Sequence, residues 1–425
     1  MKNILVTILI IASSLASYNA RAQEISLEEC RQKAVLESPL SQQFELLKKN
    51  KELKTENIGK NYLPKLDLNA QASYQSDVTR VPLELPPQFD VSIPAPDKDQ
   101  YRIALDVSQV IYDGGTTGYQ KDLEEIDYSI QREELELELY QLKQRVNHVY
   151  FGIMMLRKQA EVLNLLKETL QSKMKDLQAA EKFGAVLGKD VKMLKSELIQ
   201  VEQEITSNQI NLKAQIGVLS DLTGEDYSPE TRFMLPEPQK NYGFSNNRPE
   251  YKLLSLNQNK LNESKSLTGT KKIPRLYGFG QAGYGKPGLN MLANEFDTYY
   301  LLGAKISWKF WDWSHTKKEK EILSIQEDIL ETKKKSFEKN LRIDLQQKLS
   351  EIRKYEKLIE TDREIIELKS EISLVSSAQL DNGVITSAEY IEDINAESKA
   401  KLNLEIHKIQ LIKARVDYLA ATGDL

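Results

Sequence analysis

Few residues of this chain have the types and spacing that chemistry requires. The most suggestive run is the glycine motif G-x-G-x-x-G at positions 278–283. A dinucleotide site needs this motif in a turn that opens a helix, because the pyrophosphate binds at the helix N-terminus. Here the next residues read Tyr-Gly-Lys-Pro-Gly at 284–288, and no helical pattern begins. The motif therefore does not predict a cofactor site.

Histidine and cysteine give no better candidate for catalysis or metal binding. The only histidines are His148, His315 and His407, which lie far apart and lack the spacing of metal ligands. No nucleophile lies beside a general base in the sequence. The single cysteine, Cys30, excludes an intramolecular disulfide and is expected to be a small buried hydrophobe on the first helix. We expect neither an enzyme nor a metal or cofactor protein.

The composition excludes two further classes of protein. The 425 residues carry a formal net charge of −5, with 40% hydrophobic and 28% charged residues. No segment after residue 22 is apolar for 18 residues, which rules out a bundle of transmembrane helices. The mildly acidic balance, without a basic run, argues against nucleic acid as a partner.

The first 22 residues have the pattern of a secretory signal peptide. Lys2 supplies a positive start, residues 4–15 are mostly apolar, and Ala-Arg-Ala at 20–22 is a cleavage signal. We expect cleavage before Gln23, and the alternative is a retained membrane anchor.

The remaining chain contains an internal repeat. The run YLPKL at 62–66 returns as KIPRL at 272–276, an offset of 210 residues. The runs IYD at 111–113 and DLTG at 221–224 return as FWD at 310–312 and AATG at 420–423, both at an offset of 199. The step of eleven residues falls in a proline-rich loop at 77–100. We predict two structural repeats, at 23–235 and 236–425.

Each repeat contains two predicted strands. Apolar and polar residues alternate at 66–76 and 101–111 in the first repeat and at 299–310 in the second, whereas the glycine-rich strand at 276–284 alternates less cleanly. Strands of about ten residues suit a tilted crossing of a bilayer.

Helices occupy the rest of each repeat. Heptad spacing of apolar residues predicts a long helix at 116–181, and a comparable one at 315–380. Each ends at a glycine turn and is followed by a return helix, at 190–222 and 386–422. Shorter helices open the repeats, at about 27–59 and 249–271. Two coiled-coil hairpins in solution would explain the heptads but not the strands.

Four amphipathic strands would require several chains to share one barrel. Closure takes about eight strands, and an open sheet edge cannot face lipid because its backbone groups would be unpaired. All three tryptophans, Trp308, Trp311 and Trp313, cluster where the last strand ends, as in an interfacial aromatic belt. The alternative for these aromatic residues is an ordinary core.

The order of these pieces resembles the outer-membrane efflux protein family, the TolC-like channels. The matching runs are SLEECRQKAVLESP, YLPKLDLNAQASY, ALDVSQVIYDGG and KFGAVLGKDV in the first repeat. IPRLYGFGQAGY, KISWKFWDW and LDNGVITSAEYIEDI follow in the second. The runs are loose individually, but their order, spacing and duplication are specific.

The resemblance implies an α+β membrane protein that acts as a passive export duct. Three chains would share a twelve-stranded outer-membrane β-barrel, and their helical hairpins would form a periplasmic α-helical barrel. The implied partners are two further copies, outer-membrane lipid, a periplasmic adaptor and an inner-membrane pump of an efflux or type I secretion system. Substrate and pump class stay open. The alternative is a periplasmic coiled-coil scaffold or adaptor without a pore.

The resemblance also implies a periplasmic gate and an adaptor-contact tip. Counting from the second glycine turn, the gate positions are Glu389 and Glu392, with Asp190 as the first-repeat equivalent of Glu389. The spacing i, i+3 places both glutamates on one helix face, and the alternative is a solvated helix surface. Leu380 and Ile385 stand where the family has its latch tyrosine and arginine. The tip residues are Phe183, Gly184, Ala185, Asn382, Gly383 and Val384.

Overall fold

The computed structural model describes residues 24–79, 95–184, 186–238 and 247–424. The expected signal peptide, most of the proline-rich loop and the tip residue Ala185 lie outside these ranges. The chain divides into two compact units. We call them the helical unit, from the described parts of Met1–Phe44, Glu133–Lys252 and Lys334–Leu425, and the sheet unit, from Glu45–Arg132 and Leu253–Lys333.

The seven α-helices of the described residues follow the predicted order with one correction. The single helix predicted at about 27–59 is divided into two, because Ser38 has an extended backbone before Pro39. They are α1 (Leu27–Glu37), α2 (Gln43–Gly59), α3 (Thr116–Lys182), α4 (Gly188–Thr223), α5 (Pro249–Gly269), α6 (His315–Asp381) and α7 (Ser387–Thr422). The helices α3 and α6 both have 67 residues, and α4 and α7 both have 36. In each pair, the second helix begins 199 residues after the first. Identical lengths at one offset are the structural signature of the duplication.

Apolar clusters hold the helical unit together. In one cluster Tyr150, Phe151 and Ile153 of α3 are fully buried against α1, α4 and α7. In a second cluster, nearer the glycine turns, Leu170 and Leu194 pack against Tyr390 and Ile394 of α7, among others. Ile153 and Leu170 are heptad positions of the sequence, so burial of apolar area on this face explains why α3 packs against the return helices.

Left-handed glycines end the long helices. Gly184 and Gly383 have φ values of +72° and +69°, a conformation that side chains other than glycine adopt at a cost. The return helix α7 then starts at a capping box, in which Thr386 and Glu389 each bind the other's backbone N–H.

The sheet unit contains one antiparallel four-stranded sheet in the order β1-β2-β3-β4. The strands are β1 (Lys65–Tyr74), β2 (Asp99–Tyr112), β3 (Arg275–Lys286) and β4 (Asp297–Ser307). One face is apolar and exposed, with side chains such as Leu68, Leu302 and Ile306 about seven-tenths accessible. Within the described residues, β1 and β4 are the edges of this sheet.

The ends of two strands differ from the prediction. The first strand stops at Tyr74 rather than residue 76, and β4 stops at Ser307 rather than residue 310. Ser307 pairs with Arg275, and the residue before Arg275 is Pro274, which has no N–H to continue the ladder. Trp308 and Phe310 therefore follow the strand, although the alternation of the sequence continues through them.

The strand-to-helix corners repeat the same cap in both halves. The Asp113 carboxylate accepts the backbone N–H of Thr117 at 2.7 Å, and the Asp312 carboxylate accepts that of Thr316 at 3.0 Å. Thr316 also donates its hydroxyl to Asp312. These bonds from Thr316 lower the pKa of Asp312 to about 2. The two corners are thus capped by the same aspartate-to-threonine contact.

This cap predicts an acid-dependent loss of stability. Because the folded-state pKa of Asp312 is depressed, its contribution is complete above the unfolded pKa near 4 and disappears as the pH falls toward about 2. Asp312→Asn keeps a capping side chain but removes the charge. We expect wild type to melt at a higher temperature than the variant above pH 4, and the difference to shrink toward pH 2. A constant difference across this range would contradict the assignment.

No helix among the described residues combines the length and apolarity needed to span a membrane.

Candidate functional site

The predicted tip residues lie at two exposed turns of the helical unit. Phe183 is 89% accessible and Val384 is 68% accessible, although both are apolar. A Cβ placed on Gly184 or Gly383 would meet no atom within 4 Å, so the turns are open as well as left-handed. The sequence did not predict Leu187 as a tip residue, yet this apolar side chain is also largely exposed. Exposed apolar side chains at a turn are suited to contact with a partner protein.

The predicted gate carboxylates are exposed at the start of α7. The Glu389 carboxylate accepts the backbone N–H of Thr386 at 2.7 Å and its hydroxyl at 3.0 Å. These bonds lower the pKa of Glu389, so the carboxylate stays charged at neutral pH. Glu392 lies one turn further along α7 and is exposed. Glu389 therefore has a structural role as a cap, whether or not it also lines a gate.

Asp190 joins the two return helices at their N-termini. Its carboxylate accepts the backbone N–H of Ser387, the first residue of α7, at 3.3 Å. Further along the same pair of helices, the Asn395 amide donates to the Glu197 carboxylate at 2.6 Å. A negative side chain at a helix N-terminus is favourable because the helix dipole is positive there. The structure thus brings Asp190 to the helix that carries Glu389 and Glu392.

A buried lysine that the sequence did not single out makes the strongest link between the two hairpins. Lys173 of α3 donates to the backbone and hydroxyl oxygens of Ser377 at 3.1 and 2.9 Å, and to the Asp381 carboxylate at 2.7 Å. Its ammonium also lies 5.3 Å from the centre of the Tyr390 ring. The Lys173 side chain is only 7% accessible. Charge-assisted bonds of this kind are stronger than neutral ones.

The two positions that lack the family's latch residues are occupied by core side chains. Leu380 is 3% accessible in the apolar cluster nearest the turns, and Ile385 packs against the same cluster. Polar contacts between the hairpins are made by Lys173, Asp190 and Asn395.

In the part of α6 that precedes the turn at Gly383, polar side chains face α7 and apolar side chains are exposed. Ser370 and Ser376 face α7, where they donate to the carboxylates of Glu397 and Asp393. The first-repeat counterpart of Ser376 is Leu177, which is buried in the apolar core. Meanwhile α6 exposes an apolar row at heptad spacing, which consists of Ile365, Leu368, Ile372 and Val375. Because the serines face α7 and the apolar row is exposed, this row is suited to packing against another chain.

The three predicted belt tryptophans make different contacts. The Trp308 indole N–H donates to the backbone oxygen of Lys272 at 3.0 Å. Trp311 and Trp313 form an edge-to-face pair with ring centres 5.6 Å apart. This pair lines an open cavity of about 700 Å³ together with Arg275 and Lys309. Trp313 is 83% accessible and has a φ of +51°, which is uncommon for an aromatic residue.

The remaining sequence candidates lie in ordinary structural positions. The glycine motif at 278–283 lies wholly within strand β3, not at a turn that opens a helix. The imidazole of His407 contacts the Asp362 carboxylate at 2.6 Å, between the helices of the second hairpin. Cys30 is fully buried, and burial raises the pKa of its thiol to about 11. Among the described residues, no three His, Cys, Asp or Glu side chains are arranged to hold a metal ion.

Comparison with known proteins identifies the fold. No protein-family model matches this chain, and no curated protein matches it. Solved structures do match. The structure of CusC, described for its folding and transmembrane channel formation, gives a TM-score of 0.73 at 11% identity, over 94% of this chain and 92% of CusC.

Two further structures agree with this match. The CmeC outer membrane channel of Campylobacter jejuni gives a TM-score of 0.69 at 14% identity, over 94% of this chain and 85% of CmeC. The outer membrane protein VceC of Vibrio cholerae gives 0.70 at 12% identity, over 93% and 96% of the two chains. The chain therefore has the fold of these outer-membrane proteins, as its resemblance to the TolC-like channels implies.

Proposed function

We propose that this protein is a trimeric outer-membrane channel of a tripartite efflux or type I secretion system. The observation that carries the proposal is the sheet, which has one exposed apolar face and, within the described ranges, two edge strands without a partner strand. In a bilayer both edges must find partners, because lipid offers the backbone no hydrogen bonds. Three copies would supply twelve strands, enough to close a barrel.

The helical hairpins support the second half of this proposal. In the trimer, the hairpins would line a periplasmic duct, and the apolar row of α6 would pack against a neighbouring copy. The open turns with Phe183, Gly184, Asn382, Gly383 and Val384 would contact a periplasmic adaptor, which joins the channel to an inner-membrane pump. The channel itself would conduct passively, without a catalytic step or a cofactor. Trp308 would lie at the lipid interface near the end of β4.

Membrane fractionation tests the proposal most directly. We expect the mature chain, without residues 1–22, in the outer-membrane fraction, and a trimer on gel electrophoresis of unheated samples. A monomer in the periplasmic fraction would instead favour the coiled-coil scaffold.

Neutralising the gate carboxylates is expected to weaken cation selectivity. Three copies would bring six carboxylates from Glu389 and Glu392 to the axis, and such rings favour cations. Glutamine at position 389 can still close the capping box with Thr386, so the double change Glu389→Gln, Glu392→Gln removes charge without removing the cap. We expect the cation-to-anion permeability ratio in planar bilayers to fall several-fold.

A matched control separates the gate from general surface charge. Glu364 and Glu367 of α6 are also exposed and spaced i, i+3, and they lie several turns from the tip. Glu364→Gln with Glu367→Gln should leave the permeability ratio close to that of wild type. If both double variants changed the permeability ratio equally, or if neither changed it, the gate assignment would be wrong.

A further inference from the structure

The second strand-to-helix corner has a tryptophan where the first has a glycine. By the offset of 199 residues, Trp313 corresponds to Gly114. Both backbones are left-handed, with a φ of +71° at Gly114 and +51° at Trp313. Glycine adopts this conformation without the steric strain that any other residue incurs, so a glycine would be the unstrained choice at position 313. A strained residue that the backbone does not require points to a function of its side chain.

Trp313 lines a cavity whose wall is both aromatic and basic. Trp311 and Trp313 contribute their edge-to-face pair of rings, and Tyr277 adds a third ring. Arg275 and Lys309 contribute a guanidinium and an ammonium group to the same wall. The volume of about 700 Å³ lies within the range of small-molecule pockets. The cavity is therefore large enough for a ligand that contains one or two aromatic rings.

The accessible charges of this cavity are positive. Lys309 is exposed and has no hydrogen-bond or ion-pair partner among the described residues, and Arg275 donates one hydrogen bond, to the Thr116 hydroxyl at 3.3 Å. A third cation of the wall, Lys271, is paired with a glutamate of α6. The one carboxylate of the wall, as far as the structure describes it, is that of Asp312, whose side chain caps α6 and is only 8% accessible. The wall thus favours an anion.

The cavity lies on the polar face of the sheet. Arg275 pairs with Ser307, and Tyr277 pairs with Lys305, which adds another exposed cation. Because side chains alternate between the two faces of a strand, these residues lie on the face opposite the one that exposes Ile306. In the proposed channel, the apolar face contacts lipid and the polar face lines the lumen. The cavity would therefore be reached by cargo in the duct rather than by lipid.

We propose that this cavity binds aromatic organic anions, which carry a carboxylate, sulfonate or phosphate group on a planar ring. The inference rests on the proposed function, which it deepens by naming a class of substrate. The ring would stack against Trp313, and the anionic group would accept charge-assisted hydrogen bonds from Arg275 and Lys309. An indole face also attracts cations, but the two basic side chains repel them, so aromatic anions are favoured.

The first repeat lacks the side chains that form this site. Val110 and Gly114 occupy the positions of Lys309 and Trp313. Ile273 packs so closely beside Gly114 that a Cβ added there would lie 2.9 Å from two of its carbons. The two corners thus share a backbone conformation but not this chemistry, and the anion site belongs to the second repeat.

Binding of naphthalene-2-sulfonate to the purified full chain tests this assignment. Equilibrium dialysis against buffer with the same detergent gives the dissociation constant of this aromatic anion. Trp313→Gly installs the residue that the first repeat has at this position, so it should relieve strain and leave the melting temperature at or above that of wild type. The same variant should bind the probe about fivefold more weakly, because the stacking surface is lost. Lys309→Gln should weaken binding about tenfold, because a charge-assisted hydrogen bond is lost.

Two matched variants and a neutral probe provide the controls. Trp308→Phe changes a tryptophan that lies outside the cavity, and Lys318→Gln removes an exposed lysine of α6 that also lies outside it. Both variants should bind naphthalene-2-sulfonate as wild type does. The neutral compound 2-naphthol should bind equally to wild type and to Lys309→Gln, because it has no anionic group for the ammonium to hold.

Two results would overturn the site. One is an affinity for naphthalene-2-sulfonate that is the same in wild type, Trp313→Gly and Lys309→Gln. The other is displacement of the probe by phosphatidylglycerol added to the detergent but not by benzoate, which would assign the cavity to a lipid headgroup.

The outcomes also separate this inference from the proposed function. A trimeric outer-membrane channel whose probe binding does not depend on Trp313 and Lys309 would overturn the site and leave the channel intact. A periplasmic monomer that binds the probe through these two residues would overturn the channel and the place of the cavity in a duct, but not the site. A periplasmic monomer without such binding would overturn both.

Discussion

Replacing Lys173 by methionine is expected to loosen the link between the two helical hairpins and to raise the conductance of the proposed channel. Methionine retains most of the side-chain length but loses the bonds to Ser377 and Asp381, the latter of 2.7 Å. Asp381 is half exposed, so water can solvate the carboxylate that is released, and the loss should be about 2 kcal/mol for each chain. A loss of this size corresponds to roughly a thirtyfold change in the equilibrium constant between linked and separated hairpins.

The same helix provides the control for this prediction. Lys167 forms an ion pair at 2.9 Å with Glu202 of α4, so its partner belongs to the same hairpin. Lys167→Met removes a charge and an ion pair without separating one hairpin from the other. In planar bilayers we expect higher conductance from Lys173→Met and wild-type conductance from Lys167→Met. Conductance that rises equally in both variants would show that lost stability, not the link between hairpins, is the cause.

Local periodicity was sufficient to predict most of the fold. The heptads of α3 and the alternation of β1 and β2 are properties of neighbouring residues, and they predict helix and strand correctly because one face of each element is apolar. The end of β4 was not predictable in this way. Its alternation continues through Trp308, whereas the ladder ends because the neighbouring strand begins after Pro274.

The contacts between hairpins could not be predicted from such patterns. Lys173 lies among heptad leucines, and its acceptors on α6 are more than 200 residues away in sequence. The sequence pattern does not predict that Lys173 is buried, because burying a lysine without a partner is unfavourable in free energy and its partners are distant in sequence. The carboxylates Glu389 and Glu392 were instead assigned from the resemblance to the channel family, and the repeat then aligned Asp190 with Glu389. Whether these carboxylates line a gate depends on other copies of the chain, so that assignment stays a prediction.

Replacing Gly114 by alanine is expected to be among the most destabilising changes in the sheet unit. Gly114 has a φ of +71°, which costs an alanine about 1–2 kcal/mol. The new Cβ would also lie 2.9 Å from two carbons of Ile273, an overpacking that typically costs 1–3 kcal/mol more. We therefore expect the free energy of unfolding to fall by about 2–5 kcal/mol.

Two further variants separate strain from crowding in this prediction. Gly184→Ala has the same left-handed φ but open space around the new Cβ, so it should cost only about 1–2 kcal/mol. Ile273→Ala combined with Gly114→Ala should recover part of the loss, because it removes the crowded carbon Cγ2. Denaturant unfolding is followed by tryptophan fluorescence for the sheet unit, which contains all three tryptophans, and by far-ultraviolet circular dichroism for the helical unit, which contains Gly184. If Gly114→Ala proves as mild as Gly184→Ala, the corner between β2 and α3 accommodates the new Cβ without loss of stability. Close packing against Ile273 would then not be the reason for glycine at position 114.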